Sequence, residues 1–295
     1  MPGIKDLKTR IKSVQSTRKI TRAMQMVSAA KMRKAQNSVL QSRSYAHLAW
    51  ELIENISRKG SFNHPLISVY PNAKKIGVIL LTSNRGMVGS LNTNLLYKLR
   101  EIEKEALAEQ KEVELITYGK KGSQTSARLG KNIKADFSKP EKYILPEEIY
   151  PLAYMISEMY SSGQYKKIYL AYNHFVSTLL QKPTIRPLLP FSQEIRTMLT
   201  ESNDQPLATD SDYLFEPGIG EVLNHMLPRI IESQIYETVL ESDASEHSAR
   251  MVMMKNATEA AGDLIADYTL TFNQLRQGKI TTELAEITAG KIALE

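Results

Sequence analysis

The sequence predicts an α/β domain on a parallel sheet, inserted between two long terminal helices that pair as an antiparallel coiled coil. Three observations carry this expectation. Apolar residues recur at spacings of three and four near both ends, as on a helix with one buried stripe. No proline or glycine interrupts the chain between Gly3 and Gly60. In the middle, β-rich runs alternate with helical patterns, which implies parallel strands covered by helices.

The expected segments are residues 1–60, 61–215 and 216–295. Pro2 and Gly3 open the first helix, and Asp6 complements its dipole. Ile4, Leu7, Ile11 and Val14 form a coiled-coil seam. The apolar pattern then steps by one to Ile20, Met24 and Val27, so the seam is expected to slip there. From Lys5 to Arg58 the helix would run about 80 Å.

In the middle segment, "KKIGVILLT", "VELITYG" and "YKKIYLAYNHF" read as strands. "NTNLLYKLREIEKEALAEQ" and "EEIYPLAYMISEMYSSG" read as helices, which together give a Rossmann-like sheet domain. "TIRPLLPF" is expected at a sheet edge, because Pro183, Pro187 and Pro190 cannot serve a central ladder. "TESNDQPLATDSD" is a polar loop leading out.

Pro228 is expected to start or kink the last helix. Met251, Met254, Thr258, Ala261, Ile265, Tyr268, Phe272 and Leu275 then keep a seven-residue repeat. Lys279 breaks it, and the apolar set moves by one to Ile280, Leu284, Ile287 and Leu294. This helix would span roughly 100 Å. Two such helices cannot each bury a stripe on one small domain, so each needs the other. Rooted at opposite ends of the middle segment, they must run antiparallel, with paired residue numbers adding to about 278 at equal rise. Ile4 then faces residue 274, and the second helix outruns the first near its repeat break.

The chain has 295 residues, 42% of them hydrophobic, and no cysteine. Disulfides, thiolate metal sites and cysteine nucleophiles are excluded. Net charge is +6, yet residues 1–45 hold eleven Lys or Arg against one acid, leaving the rest at −4. A basic arm of this kind suits an acidic partner: nucleic acid, anionic lipid or protein. Residues 1–45 also imitate an organellar transit peptide, but their stripe continues beyond residue 45. No apolar run has the length of a membrane span, so a soluble chain is expected.

No catalytic, cofactor-binding or metal-ligating residues are identified. "TSNRGMVGSLN" lies where phosphate loops lie, between a strand and a helix. It has neither the G-x-G-x-x-G pattern nor a G-K-[ST] ending, and Gly130-Lys131 is followed by Asn132. A structural turn is favoured. His47, His64, His174, His225 and His247 are scattered without metal-ligand spacing. There is no G-x-S-x-G elbow.

"STRKITRAMQMVSAAKMRKAQ" sets Arg18, Lys19, Arg22, Lys31, Arg33 and Lys34 on one helix with no acid. A solvated face is the plain reading. Nucleic acid is disfavoured, because no aromatic precedes Tyr45 to stack on bases. An acidic protein surface fits better. A basic coiled-coil nucleic-acid binder and an α/β nucleotide-binding enzyme remain the alternatives.

The chain resembles the gamma subunit of F-type ATP synthases along its whole length. "VQSTRKITRAMQMVSAAKMRKAQ", "SEHSARMVMMKNAT" and "FNQLRQGKITTELAEITAG" carry the resemblance. The family's carboxy-terminal signature is met by Ile280, Thr281, Glu283, Glu286 and Gly290. Asn84, Val88 and Ser90 depart from the common residues of the first turn, and Lys291 stands where alanine is usual. The resemblance implies a rotor without catalytic residues of its own. Its helices turn inside a ring of alpha and beta subunits, and its foot binds the epsilon subunit and stands on the membrane c-ring. Proton-driven rotation then drives ATP synthesis in beta. The location implied is peripheral, at the cytoplasmic face of the bacterial inner membrane, with membrane association only through the complex. Met24 matches the residue facing the beta lever, and Arg276, Gln277 and Thr281 match those that catch a beta loop. Arg22, Lys31 and Arg33 add the positive field, and Ile287 belongs to the tip row expected inside the ring.

Overall fold

The computed structural model describes residues 3–58, 64–141, 144–191 and 218–292, without the side chains of 42–58 and 290–292. Polar residues 200–212, the side chain of Lys291 and Leu294 lie outside this set. The elements are α1 (Ile4–Arg58), β1 (Lys75–Leu81), α2 (Leu91–Ala108), β2 (Glu112–Tyr118), α3 (Lys120–Arg128) and β3 (Ile133–Phe137). They continue as α4 (Tyr150–Ser161), β4 (Tyr165–Phe175), β5 (Gln181–Leu189) and α5 (Ile219–Ile292). The chain divides into two compact units, residues 1–29 with 250–295, and residues 30–249.

In the larger unit a five-stranded sheet has the order β3-β2-β1-β4-β5. β1 pairs parallel with β2 and β4, and β2 pairs parallel with β3. Alternate residues of β1 face opposite layers. Ile79 and Leu81 join Ile116, Leu170, α4 residues Leu152 and Ile156, and α5 residues Leu227, Ile231 and Ile235. Val78 and Leu80 join Leu115, Ala171 and the α2 residues Leu95, Leu99 and Ile102. Burial on both faces explains why "KIGVILL" is a continuous apolar run and not an alternating one.

β5 lies at the edge, as its prolines required, but it runs antiparallel to β4. Residues 176–180 are too short a connection for a parallel crossover, so a hairpin results. Pro183 sits opposite Asn173 in a regular stretch of the ladder, and Pro187 sits opposite Tyr169 beside a register shift. α3 and β3 were not legible in the sequence. α3 is polar and contains Gly122, and β3 is a five-residue edge strand with alternate exposure, so neither carries a clear apolar period.

The last helix starts at Ile219, and Pro228 lies inside it rather than at its start. An internal proline costs about 3 kcal/mol. Burial of Leu223, Leu227, Ile230 and Ile231 around it offsets that cost.

In the smaller unit the two helical segments run antiparallel. Thr21 Oγ1 and Thr258 Oγ1 share a 2.7 Å hydrogen bond, and the Arg18 guanidinium lies across Gly262. The residue numbers of the threonine pair add to 279, one from expectation. Every member of the α5 repeat from Met251 to Leu275 is buried or half-buried.

The expected slip in α1 does not occur. The same heptad positions resume, after exposed Arg18, at Thr21, Gln25, Ser28, Met32, Ala35 and Val39, all buried or half-buried. Ile20 and Val27 are 60% and 57% exposed. The apolar residues misled because the seam itself is small and polar here: Thr21 bonds to Thr258, and Ser28 is buried. Ile20→Ser should therefore change stability by no more than about 0.5 kcal/mol. Leu7→Ala, at a position only 2% exposed, should cost about 2–5 kcal/mol. Chemical denaturation of the two variants checks the register, and the reverse ranking would restore the slip.

Candidate functional site

A doubly wound sheet offers a ligand crevice beyond its strand ends, where the order reverses. Here that place is between β1 and β4, and on the β2 side of β1 the chain's own groups bond one another closely. Thr82 Oγ1 donates to Gly119 O at 3.0 Å and accepts from Gly122 N at 2.8 Å. Gly119 has φ 110°, and a Cβ there would lie 2.2 Å from Thr82 O. This close approach ties the ends of β1 and β2 together.

The polar side chains of "TSNRGMVGSLN" from Thr82 to Arg85 and Asn92 bond within the turn or to neighbouring segments. Ser83 N and Ser83 Oγ both bond the Asn92 side chain, and Ser83 Oγ donates to Arg85 O. Asn84 accepts from Lys120 N and donates to Lys139 O. At the start of α2, where a phosphate would sit, Val88 and Leu91 pack against Ala249 of α5. The geometry supports the structural turn.

Beside this turn lies a buried cluster of opposite charges. Lys139 follows β3 and is buried, with Nζ 2.8 Å from Asp243 Oδ1 and 2.6 Å from Glu246 Oε2, both on α5. His247 Nε2 is 3.5 Å from the other Asp243 oxygen. Burial opposes the Lys139 charge, but Asp243 and Glu246 outweigh it and raise its pKa. Burial likewise opposes the Asp243 charge, while Lys139 and His247 hold its pKa well below the usual carboxylate range. Nothing in "FSKPEK" or "ESDASEHSAR" separately announces this contact, because its partners lie over 100 residues apart.

Three of the histidines have structural surroundings, while His225 is exposed and the side chain of His47 lies outside the described set. His64 Nδ1 accepts from Leu66 N, His174 pairs with Glu241 and His247 with Asp243. Among the described residues no cluster of three His, Asp or Glu could hold a metal ion. Among the same residues, no helix is long and apolar enough to cross a membrane.

The site residues expected from the sequence occupy helix surfaces. Arg22 and Arg33 are exposed and Met24 is half-buried. Gln15, Arg18, Lys19, Arg22 and Ile265 line an open groove in the smaller unit. Lys31 is less free than expected: it is half-buried, and Nζ donates to Glu141 O at 3.0 Å. On α5, every side chain from Arg276 to Ala289 is exposed, including Gln277, Thr281 and Ile287. Thr281 Oγ1 bonds Gln277 O. Ile280, Leu284 and Ile287 form an uncovered apolar row, with Ile287 68% exposed.

Long terminal helices and a Rossmann-like sheet, with the expected site residues on helix surfaces, define an α/β protein with its chemistry-bearing surfaces on helices. The comparisons agree with that class. The family model for ATP synthase matches residues 3–294. The ATP synthase gamma chain of Chloroflexus aurantiacus (strain J-10-fl) is 40% identical over 297 residues, covering 100% of this chain and 99% of that protein. That of Legionella pneumophila (strain Corby) is 37% identical over 295 residues, with 100% of both covered. A chain of the Euglena gracilis mitochondrial ATP synthase (OSCP/F1/c-ring, rotational state 3) matches with TM-score 0.68 and 19% identity, over 99% of this chain and 94% of that one. A chain of the same organism's rotor structure matches at TM-score 0.62 and 20% identity, over 94% and 98%. The chain belongs to the ATP synthase gamma chain family.

Removing the buried cation has a sign and a size. Lys139→Met leaves Asp243 and Glu246 buried without their partner and should cost about 3–5 kcal/mol. Asp243 is more acidic folded than unfolded, so its charge stabilises the fold above its ordinary value of 3.8, and that contribution disappears as pH falls below it. Lys139 is more basic when folded, so its contribution is complete below 10.5 and is lost as pH rises through the folded value. Asp243→Asn should flatten the acid limb of the stability–pH profile; an unchanged acid limb would remove Asp243 from the account.

Proposed function

We propose that this chain is the central rotor stalk of an F-type ATP synthase. It couples ion flow through a membrane c-ring, read here as proton flow, to ATP synthesis or hydrolysis on beta subunits. The observation that carries the reading is the α5 end: an apolar row on a helix with no described cover. Water alone is a poor neighbour for such a row. A sleeve of alpha and beta subunits would cover it. The chain itself supplies no catalysis in this reading, and the turn after β1, which lacks a phosphate-loop glycine pattern and has Val88 and Leu91 packed on Ala249, supports that.

Arg22, Arg33 and half-buried Met24 face the levers of the beta subunits. Their work is a field with apolar contact beneath it, because a shaft that turns must break each contact in every step. Exposed ion pairs contribute about 0–1 kcal/mol each, so no single bond holds the shaft in one orientation. Arg276, Gln277 and Thr281 take the beta loop nearer the tip. The epsilon subunit and c-ring bind the sheet-domain end, which places the chain peripherally at the cytoplasmic face of a bacterial inner membrane. The nucleic-acid alternative has no stacking aromatics on the described basic face.

Isolated chain is expected to show no ATPase activity, and addition of purified alpha and beta subunits should produce an active complex. Hydrogen exchange beyond Lys279 should be fast in the isolated chain and slow in that complex. Slow exchange in the isolated monomer would mean that the tip is covered by its own chain, against this reading. Arg22→Ala or Arg33→Ala alone should alter coupling modestly, while the double change should impair it in a salt-dependent way. Abolition of activity by either single change, with the complex intact, would replace the field by a specific bond.

A further inference from the structure

Over its contact with the sheet domain, α5 changes the chemistry by which it is held. Up to Ile235 the packing is mainly apolar: Leu223, Leu227, Ile231 and Ile235 pack on the core, with one polar tether just beyond, from Tyr236 Oη to Ile144 O. Apolar packing is non-directional and resists turning of a helix about its own axis only through shape. From Thr238 onward the contacts become polar and directional. Thr238 accepts from Arg186 and Glu241 pairs with His174. Ser245 donates to Asn173 O and Ser248 to Thr178 O. At 100° per residue these four lie within an arc of about 80°. Asp243 and Glu246 lie at least about 80° outside that arc, and both hold Lys139.

The helix is therefore pegged on two sides. The peg on the second side is also the most constrained, because the short segment that carries Lys139 is itself fixed. Asn84 holds Lys139 O at 2.7 Å, Arg85 pairs with Glu141, and Lys31 of α1 holds Glu141 O. One four-residue segment, 138–141, thus ties α1, the turn after β1 and α5 together.

We propose that Lys139, gripping Asp243 and Glu246, is a positioning residue that keys α5 against turning in its seat, so that torque passes between the sheet domain and the helix without slip. The proposal rests on the rotor reading. Buried charge pairs are weak contributors to net stability, and an apolar replacement can match them. Their geometry, however, is directional and is lost by small rotations. The cluster's contribution is thus to register under load more than to folding.

The test uses the complex with alpha and beta subunits fixed to a surface. The chain has no native cysteine, so Leu107→Cys, at an exposed α2 position, offers a single attachment point on the sheet domain. Probes of increasing drag are attached there and rotation during ATP hydrolysis is recorded together with turnover. The decisive variant replaces the whole cluster (Lys139→Met, Asp243→Leu, Glu246→Leu), so that no charge is left buried and unpaired. It should turn small probes as the parent does, lose rotation at drags the parent still drives, and keep hydrolysing ATP while the probe stands still. Lys139→Arg should retain rotation at those drags. If the triple variant assembles and shows the parent's drag dependence, the keying role is overturned. If it cannot assemble although Lys139→Arg can, the cluster is a folding element and the proposal also fails. A parent complex that hydrolyses ATP without any rotation would instead contradict the rotor reading itself.

Discussion

A helix of 74 residues cannot bury one stripe against one domain, and this constraint governs how α5 is built. Its partner must change along its length, and its side chains change with it. Leucine and isoleucine face the sheet layer up to Leu240. Serine, acid and histidine follow where the neighbours are carbonyls, Lys139 and His174. In the smaller unit the repeat from Met251 to Leu275 is covered, and beyond it nothing described covers the helix. Each change of chemistry along the covered part of the helix marks a change of neighbour.

The same constraint accounts for α1. Its stripe must match α5 at close approach, and the middle of the seam is made of Thr21, Ser28, Thr258 and Ala261, with Gly262 beneath Arg18. Small and hydroxylated residues let the helices approach while keeping polar groups satisfied across the seam. Ile20, Val27 and Met26 are left outside, among Arg22 and Arg33. A face that is both basic and apolar, and not part of the seam, suits a surface that meets an acidic partner transiently.

Much of this was legible in the sequence, and the failures have physical causes. The three buried strands and α2 could be read because burial on two faces writes itself as continuous or strictly periodic apolar residues. The antiparallel pairing and the α5 overhang followed from length alone. The α1 register failed because the buried positions are polar and the exposed ones apolar, the reverse of what periodicity assumes. α3 failed because Gly122 is needed for its approach to Thr82 yet reads as a break. The Lys139 cluster was invisible because local patterns carry no information about pairing between residue 139 and residues 243 and 246. Of the surface residues, Arg22, Arg33, Arg276, Gln277, Thr281 and Ile287 are all exposed, whereas Lys31 is engaged by Glu141 O.

A rotor stalk has to turn relative to the beta subunits for the complex to work. Absence of native cysteine allows a direct measurement. Ile287→Cys, on the exposed row of α5, can be joined by a disulfide to a cysteine placed on the facing surface of one beta subunit. The account predicts that ATP turnover stops when the tether forms and returns when it is reduced. Turnover that continues at the untethered rate, with the disulfide intact in every complex, would contradict it.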